Sequence, residues 1–311
     1  MEYKNLGNTG LRLSVLGFGT APLGGEYGTL DPSDGERAVH AAIDAGINFF
    51  DTSPYYGRML SEQRLGQALV GRRDKIVLST KCGRYDKNGF DFSAARVKTS
   101  IDESLHRLRT DYVDLLLAHD IEFGDREQVI HETLPAMRDV QRQGKARFIG
   151  VSGLPLKMLA DVAQRVDLDF VLSYCHYNLL ARDLDKVLTP VLQSRGIGLI
   201  NASPLNMGLL STLGAPAWHP APEQLKWKGA VAVALIERYG MSSAEVAIRF
   251  CIDHPYVSST LVGMTDTEQV HENLEALNIE IPPALMNEIE ELTNSVHFLT
   301  WPSGRPENSD V

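Results

Sequence analysis

Cysteine is scarce: Cys82, Cys175 and Cys251 lie far apart in 311 residues, with no Cys-x-x-Cys pair. So sparse and odd a set argues against a disulfide scaffold or a zinc site and fits reduced thiols. No bound metal is expected. Long apolar runs are also missing: none reaches the ~18 residues of a membrane-spanning helix. The opening MEYKNLGNTGLRLS has no apolar signal-peptide core, so a cytoplasmic protein without a membrane partner is expected. Positive charge is in deficit, 30 Lys and Arg against 40 Asp and Glu, for a net charge of -10. That argues against a nucleic-acid groove, because neutralising phosphates takes clustered cations. It does not exclude a nucleotide cofactor held by backbone amides and polar side chains. Three chemical signatures are absent as well. GFGTAPLGG (17–25) is not a Gly-x-Gly-x-x-Gly turn, no Gly-x-Ser-x-Gly elbow occurs, and no carboxylate pair suggests glycoside hydrolysis.

What is present is alternation. Residues 3–14 read as a small hairpin around Gly7 and Gly10. Apolar strand-like runs follow at 16–18, within GINFFDTSPYYG (46–57), and at 75–80, 112–118, 146–151, 170–172, 197–200 and 257–262. Helical patterns separate them, the first opened by Ser33 and Glu36 as a capping box and closed at Gly46. The others fall near 61–70, 93–109, 126–143, 155–165 and 183–194. After a Pro/Gly-rich excursion at 204–222 come helices near 223–239, 242–253, 267–277 and 283–294, then an irregular tail from Ser295. Continuous apolar strands imply burial on both faces. Strand-helix alternation repeated eight times predicts a (β/α)8 TIM barrel with an N-terminal β-hairpin and extra C-terminal helices. An open doubly wound sheet is the alternative, weakened by the missing dinucleotide turn. No low-complexity linker splits the chain, so one domain over 1–311 is expected.

In a barrel the carboxyl ends of the strands converge on one face, where chemistry sits. Four successive strands end in Asp51, Lys81, His119 and Ser152, with Tyr56 just past the first. Each alone has an ordinary explanation, a turn carboxylate, a solvated lysine or a packed histidine. Together they suggest proton transfer. A tyrosine, with a pKa near ~10, serves as a base at neutral pH only if a cation stabilises its phenolate. Lys81 can supply that cation, Asp51 can hold Lys81, and His119 can orient a substrate oxygen.

On these residues the chain resembles the aldo-keto reductases. The resemblance rests on GINFFDTSPYYG, STKCG, LLLAHD, IGVSG (149–153) and GMTDTEQVHEN (263–273), and covers essentially the whole chain. Further stretches, TKCGRY, GFDFSAARV, HDIEFG, LSYCHY, ASPLNMGLL, WHPA and LTWPSG, match a sugar-dehydrogenase branch and are mostly not explained by barrel packing. The resemblance implies a barrel that binds a nicotinamide cofactor, with Asp51, Tyr56, Lys81 and His119 as the catalytic tetrad. The implied reaction is oxidation of L-galactose at C1 to the 1,4-lactone. Related aldoses (L-fucose, D-arabinose), pyridoxal, or a non-catalytic binding role remain alternatives. The expected partner is a small sugar, and the expected state a monomer or weak homo-oligomer.

The resemblance also assigns cofactor contacts: Ser152 for the carboxamide, Ser203, Leu205 and Gly208 as pyrophosphate amides, Gly263, Thr265 and Gln269 near the ribose, and Glu272 and Asn273 for adenine. Where NADP-preferring relatives carry Lys and Arg, this chain has Gly263 and Gln269, with Asp266 nearby. NAD is therefore expected. Two positions depart from the family pattern. Tyr174 and Ala202 stand where a glutamine and a stacking aromatic are common, which suggests that Tyr174 supplies the π-face instead, or is simply packing. Gly153 stands where an asparagine is usual, which weakens the Ser152 contact. Trp301, exposed-looking in the tail, is either a substrate-pocket wall or part of a tail tucked under the barrel. Cys82 and Cys175 read as packing residues.

Overall fold

A computed structural model describes residues 1–25 and 31–311. The chain opens with an antiparallel hairpin, β1 (Tyr3–Asn5) and β2 (Arg12–Ser14), then enters the barrel at β3 (Leu16–Gly19), β4 (Phe49–Asp51) and β5 (Val77–Cys82). A second hairpin, β6 (Arg84–Asp86) and β7 (Gly89–Phe90), interrupts the alternation. The barrel resumes with β8 (Val113–Ala118), β9 (Ala146–Gly153), β10 (Phe170–Tyr174), β11 (Gly198–Ala202) and β12 (Ser259–Gly263). Eight parallel strands close in the order β3-β4-β5-β8-β9-β10-β11-β12, β12 pairing back onto β3. The expected (β/α)8 barrel is the observed one.

Alternation along the strands decides what faces the axis. Phe49, Val77, Leu115, Leu117, Phe170, Leu172, Ile200 and Leu261 form the interior cluster, and Leu6, Leu11 and Leu13 of the first hairpin plug its amino-terminal end. Neighbours one residue away, Phe50, Leu78, Leu116 and Val171, face the helices in the larger outer core. On β3 the axis-facing place is Gly17, whose absent Cβ would stand 2.9 Å from both Phe49 and Leu261. The interior is full enough there that a larger residue would force these side chains to shift.

Local details differ from the sequence expectation. The first helix, Pro32–Asp44, is capped by Asp31, which accepts from the Ser33 amide, with Pro32 in the first turn. The Ser33–Glu36 box is thus not the cap. The pattern near 126–143 contains a π-helical segment, Val129–Thr133, before Leu134–Arg142. That near 183–194 is two short helices, Leu184–Val187 and Thr189–Arg195, the second with proline in its first turn. Among the described residues no helix is long and apolar enough to cross a membrane, and no cluster of metal ligands occurs.

Candidate active site

The interior parity of each strand carries through to its carboxyl end. On β4, Phe49 faces the axis, so Asp51 does; on β5, Val77 sets Lys81; beyond β8, Leu115 and Leu117 set His119. The three converge at the mouth. Lys81 is 2% exposed, and its ammonium donates to Asp51 Oδ2 at 2.5 Å, the Thr52 carbonyl at 2.8 Å and the Tyr56 hydroxyl at 3.2 Å. Burying a charge demands this kind of partnering. All three ammonium hydrogens are used, one of them on the phenol oxygen. Tyr56 follows a tight turn in which its own amide donates to Ser53 O.

His119 stands edge-on to Tyr56, ring centres 5.8 Å apart at 88°. Burial, with help from the Lys81 and Arg84 cations and against the pull of Asp120, pushes its pKa down to about 3. The imidazole is neutral at any physiological pH. Its Nδ1 lies 3.0 Å from Ser53 Oγ, and its Nε2 lies 3.6 Å from Asp120 Oδ2. Asp120 adopts a left-handed backbone (φ 49) and is paired with Arg84 of β6. The Arg84 guanidinium in turn lies 3.8 Å from the centre of the Tyr55 ring. Burial alone would raise the Asp120 carboxyl, but the Arg84 guanidinium, by its charge and its hydrogen bond, helps to hold it low.

The positions expected to hold a cofactor fall around the same mouth. Ser152 is buried with one long bond, 3.5 Å, to Ala118 O, which leaves its hydroxyl ready for a better partner. Tyr174 is half-buried and is the register partner of Ala202. Burial and the Asp120, Glu122 and Cys175 groups hold its phenol protonated, well above the ordinary range. Past β11, Ser203 (φ 60), Asn206 (φ 48) and Met207 (φ 51) are all left-handed. Such backbone is costly outside glycine and marks a loop held in shape by its surroundings. The Gly208 amide donates to Leu205 O within this turn, whereas the amides of Ser203 and Leu205 have no partner among the described residues. Two of the three expected amides are therefore available to an anion.

Beyond β12, Asp266 caps the helix Thr267–Glu275: Oδ1 accepts from the Gln269 amide and Oδ2 from the Thr265 hydroxyl. Gln269 folds back to accept from the Thr265 amide at 3.0 Å. Glu272 is exposed and Asn273 buried on that helix. A Cβ on Gly263 would come within 2.8 Å of Pro22. The residues present fit a nicotinamide dinucleotide: free amides at a shaped loop, an under-used serine, and a phenol beside the small Ala202.

Trp301 is 6% exposed, not a surface residue. It packs in a cluster with Leu154, Cys175 and Leu209 and meets the His219 ring edge-on at 5.2 Å. The tail then crosses the mouth, not the bottom. Ser303 donates to Glu122, Asn308 to the Glu122 and Gly124 carbonyls, and Asp310 accepts from the Leu156 amide at the start of the helix after β9. Burial first, then the Asp120 charge, pushes the Glu122 carboxyl up to about 8. Ser53, Arg84, Asp120 and Glu122 had gone unassigned in the sequence, although TSPYYG, TKCGRY and HDIEFG contain them.

A family model described as "Aldo/keto reductase family" matches residues 15–294. L-galactose dehydrogenase of Arabidopsis thaliana is 47% identical, over 99% of each chain. D-threo-aldose 1-dehydrogenase of a Pseudomonas species is 31% identical, over 91% of this chain and 94% of its own. Among solved structures, an aldo-keto reductase from Bacillus halodurans in its holo form superposes with a TM-score of 0.79 at 28% identity, covering 94% of this chain and 96% of that one.

Proposed function

The chain belongs to the aldo/keto reductase family of oxidoreductases, and from that premise we propose that it oxidises L-galactose at C1 with NAD, giving L-galactono-1,4-lactone. One observation carries the reading: the Lys81 ammonium shared between Asp51, Thr52 O and the Tyr56 hydroxyl, beside a neutral His119. The substrate comes from the 47% identity, end to end, with L-galactose dehydrogenase.

Tyr56, as the phenolate that Lys81 stabilises, takes the proton of the C1 hydroxyl and becomes the neutral phenol as the C1–H bond breaks. Asp51 holds the ammonium in place, so its attraction is set before substrate arrives. His119 orients the same oxygen through one hydrogen bond; being neutral, it adds no positive charge that would oppose the departure of hydride from C1. Trp301, nearly buried in its cluster, backs the wall of the sugar site, where an apolar surface suits a sugar face. The nicotinamide, when bound, supplies the hydride acceptor. It would be held by Ser152 at the carboxamide, Tyr174 against the ring, Ser203 and Leu205 at the pyrophosphate, Gly263, Thr265 and Gln269 near the ribose, and Glu272 and Asn273 at adenine.

The preference for NAD rests on Asp266. Its carboxylate already occupies the helix start at Thr267, so a 2′-phosphate would meet a negative charge where a ribose hydroxyl finds an acceptor. Pro22 also closes the space beside Gly263 that a gripping lysine would need. The test is reduced-nicotinamide absorbance with L-galactose, L-fucose, D-arabinose and pyridoxal, each with NAD and NADP, on the wild type and Tyr56→Phe. The highest kcat/KM is expected for L-galactose with NAD, and Tyr56→Phe should abolish most turnover while binding NAD almost unchanged. Equal or better use of NADP refutes the cofactor assignment. Turnover retained by Tyr56→Phe refutes the mechanism, and no turnover by the wild type favours a binding role.

A further inference from the structure

The proton-transfer reading needs His119 to offer a hydrogen to the substrate oxygen, and a neutral imidazole carries only one. Which nitrogen bears it decides whether the residue can act. Ser53 lies between Asp51 and Tyr56 and is fully buried. Its hydroxyl oxygen accepts from the Tyr55 amide at 3.1 Å and stands 3.0 Å from His119 Nδ1. A hydroxyl has one hydrogen, and a buried one must spend it. With the Tyr55 amide donating in, the acceptor left to that hydrogen among the described residues is His119 Nδ1.

The other side of the ring gives an independent argument. Nε2 faces Asp120 Oδ2 at 3.6 Å, a buried carboxylate kept charged by Arg84. A bare lone pair on Nε2 would face a negative oxygen, whereas an N–H there is attracted to it. Both sides select the same tautomer. The reverse arrangement would leave the Ser53 hydrogen unpaired, set two lone pairs against each other and remove the donor from the mouth.

We propose that Ser53 is a positioning residue: it donates to Nδ1 of His119, fixes the imidazole as the Nε2–H tautomer and so makes it a hydrogen-bond donor to the substrate oxygen. The Asp120 carboxylate, held by Arg84, favours a proton on that nitrogen. The inference deepens the function proposed above and rests on it. A pairing on one ring nitrogen that dictates the role of the other is a general property of histidine.

Nitrogen NMR of the protein labelled in its nine histidines, with NAD bound, reads the tautomer directly, His119→Asn identifying the resonances by their loss. The wild type is expected to show a proton-bearing Nε2 and an unprotonated, hydrogen-bonded Nδ1. In Ser53→Ala the Nδ1 signal should move to that of a free unprotonated nitrogen. kcat should fall about tenfold, the ~1.4 kcal/mol of one such bond, with the KM for NAD unchanged; Ser53→Thr, which keeps the hydroxyl, should restore both. A wild type with the proton on Nδ1 overturns the proposal whatever the sugar panel gives, even if Ser53→Ala fails to fold. An unmoved Nδ1 signal or an unchanged kcat in a folded Ser53→Ala does so too. Turnover by Tyr56→Phe would remove the mechanism and leave the tautomer measurement standing.

Discussion

Replacing Lys81 with methionine keeps the volume and removes the charge, and its effect can be worked from the distances. The ammonium lies 3.2 Å from the Tyr56 oxygen. At an effective dielectric constant of about 20, a unit charge at that distance favours the phenolate by about 5 kcal/mol. Divided by ~1.36 kcal/mol per tenfold, this corresponds to between three and four powers of ten in rate near neutral pH. The single variant confounds that loss with folding: Asp51, 4% exposed in its side chain, would be left charged and alone, at a cost of roughly 3–5 kcal/mol. Asp51→Asn combined with Lys81→Met removes both charges and isolates the catalytic term. The assay is NAD reduction by L-galactose on folded double variant, from neutral to alkaline pH. The rate should fall by about three powers of ten at neutrality and recover as rising pH ionises the tyrosine without help. A double variant within tenfold of the wild type at neutral pH would refute the electrostatic role of Lys81.

Two further outcomes are expected. Tyr174→Leu should raise the KM for NAD several-fold while sparing the fold, because the side chain beside Ala202 would lose its π-face; an unchanged KM, measured by initial rates, would make Tyr174 packing alone. Glu122 gives a pH signature in stability. Its folded pKa of about 8 exceeds the ordinary 4.5, so between those values the folded protein holds one more proton than the unfolded chain. Stability from this group is full below the lower value and is lost as pH rises toward 8, at up to about 1.4 kcal/mol per unit. Glu122→Gln retains the acceptor for Ser303 and Leu154 but cannot ionise. Thermal melts from pH 5 to 9 should show the variant gaining on the wild type as pH rises; parallel curves would contradict the burial argument.

The barrel was legible because its signals are strong and local: apolar runs, caps and helical spacing. The convergence of the candidate site was legible for a related reason, since a charged residue ending a buried strand stands out against its apolar neighbours, and parity then carries Asp51, Lys81 and His119 to the axis. The hairpin Arg84–Phe90 was missed because two short polar strands have no periodicity to read. The Asp31 cap was displaced by an equally plausible Ser33 two residues later, although Pro32 marks the first turn. Burial of Trp301 was invisible because its neighbour His219 lies far away in sequence. Ser53 and Asp120 sat in quoted motifs, yet their roles depend on distances that only the folded mouth defines.

The buried ammonium of Lys81 has a bearing on how the barrel closes. Asp51 is registered against Ser79, and Lys81 against Leu117. A one-residue slip of β5 would turn Lys81 from the axis into the helix layer and exchange it with Thr80, which now bonds Glu62 of the helix Leu60–Ala68. Both Asp51 and Lys81 would then be buried apart from each other, a far greater loss than any slipped set of leucines would incur. An apolar barrel of interchangeable valines and leucines tolerates several alignments; one polar rung does not. The ion pair at the mouth therefore works as an index mark for strand alignment, and variants that neutralise both charges should refold with more misregistered material than variants elsewhere in the interior.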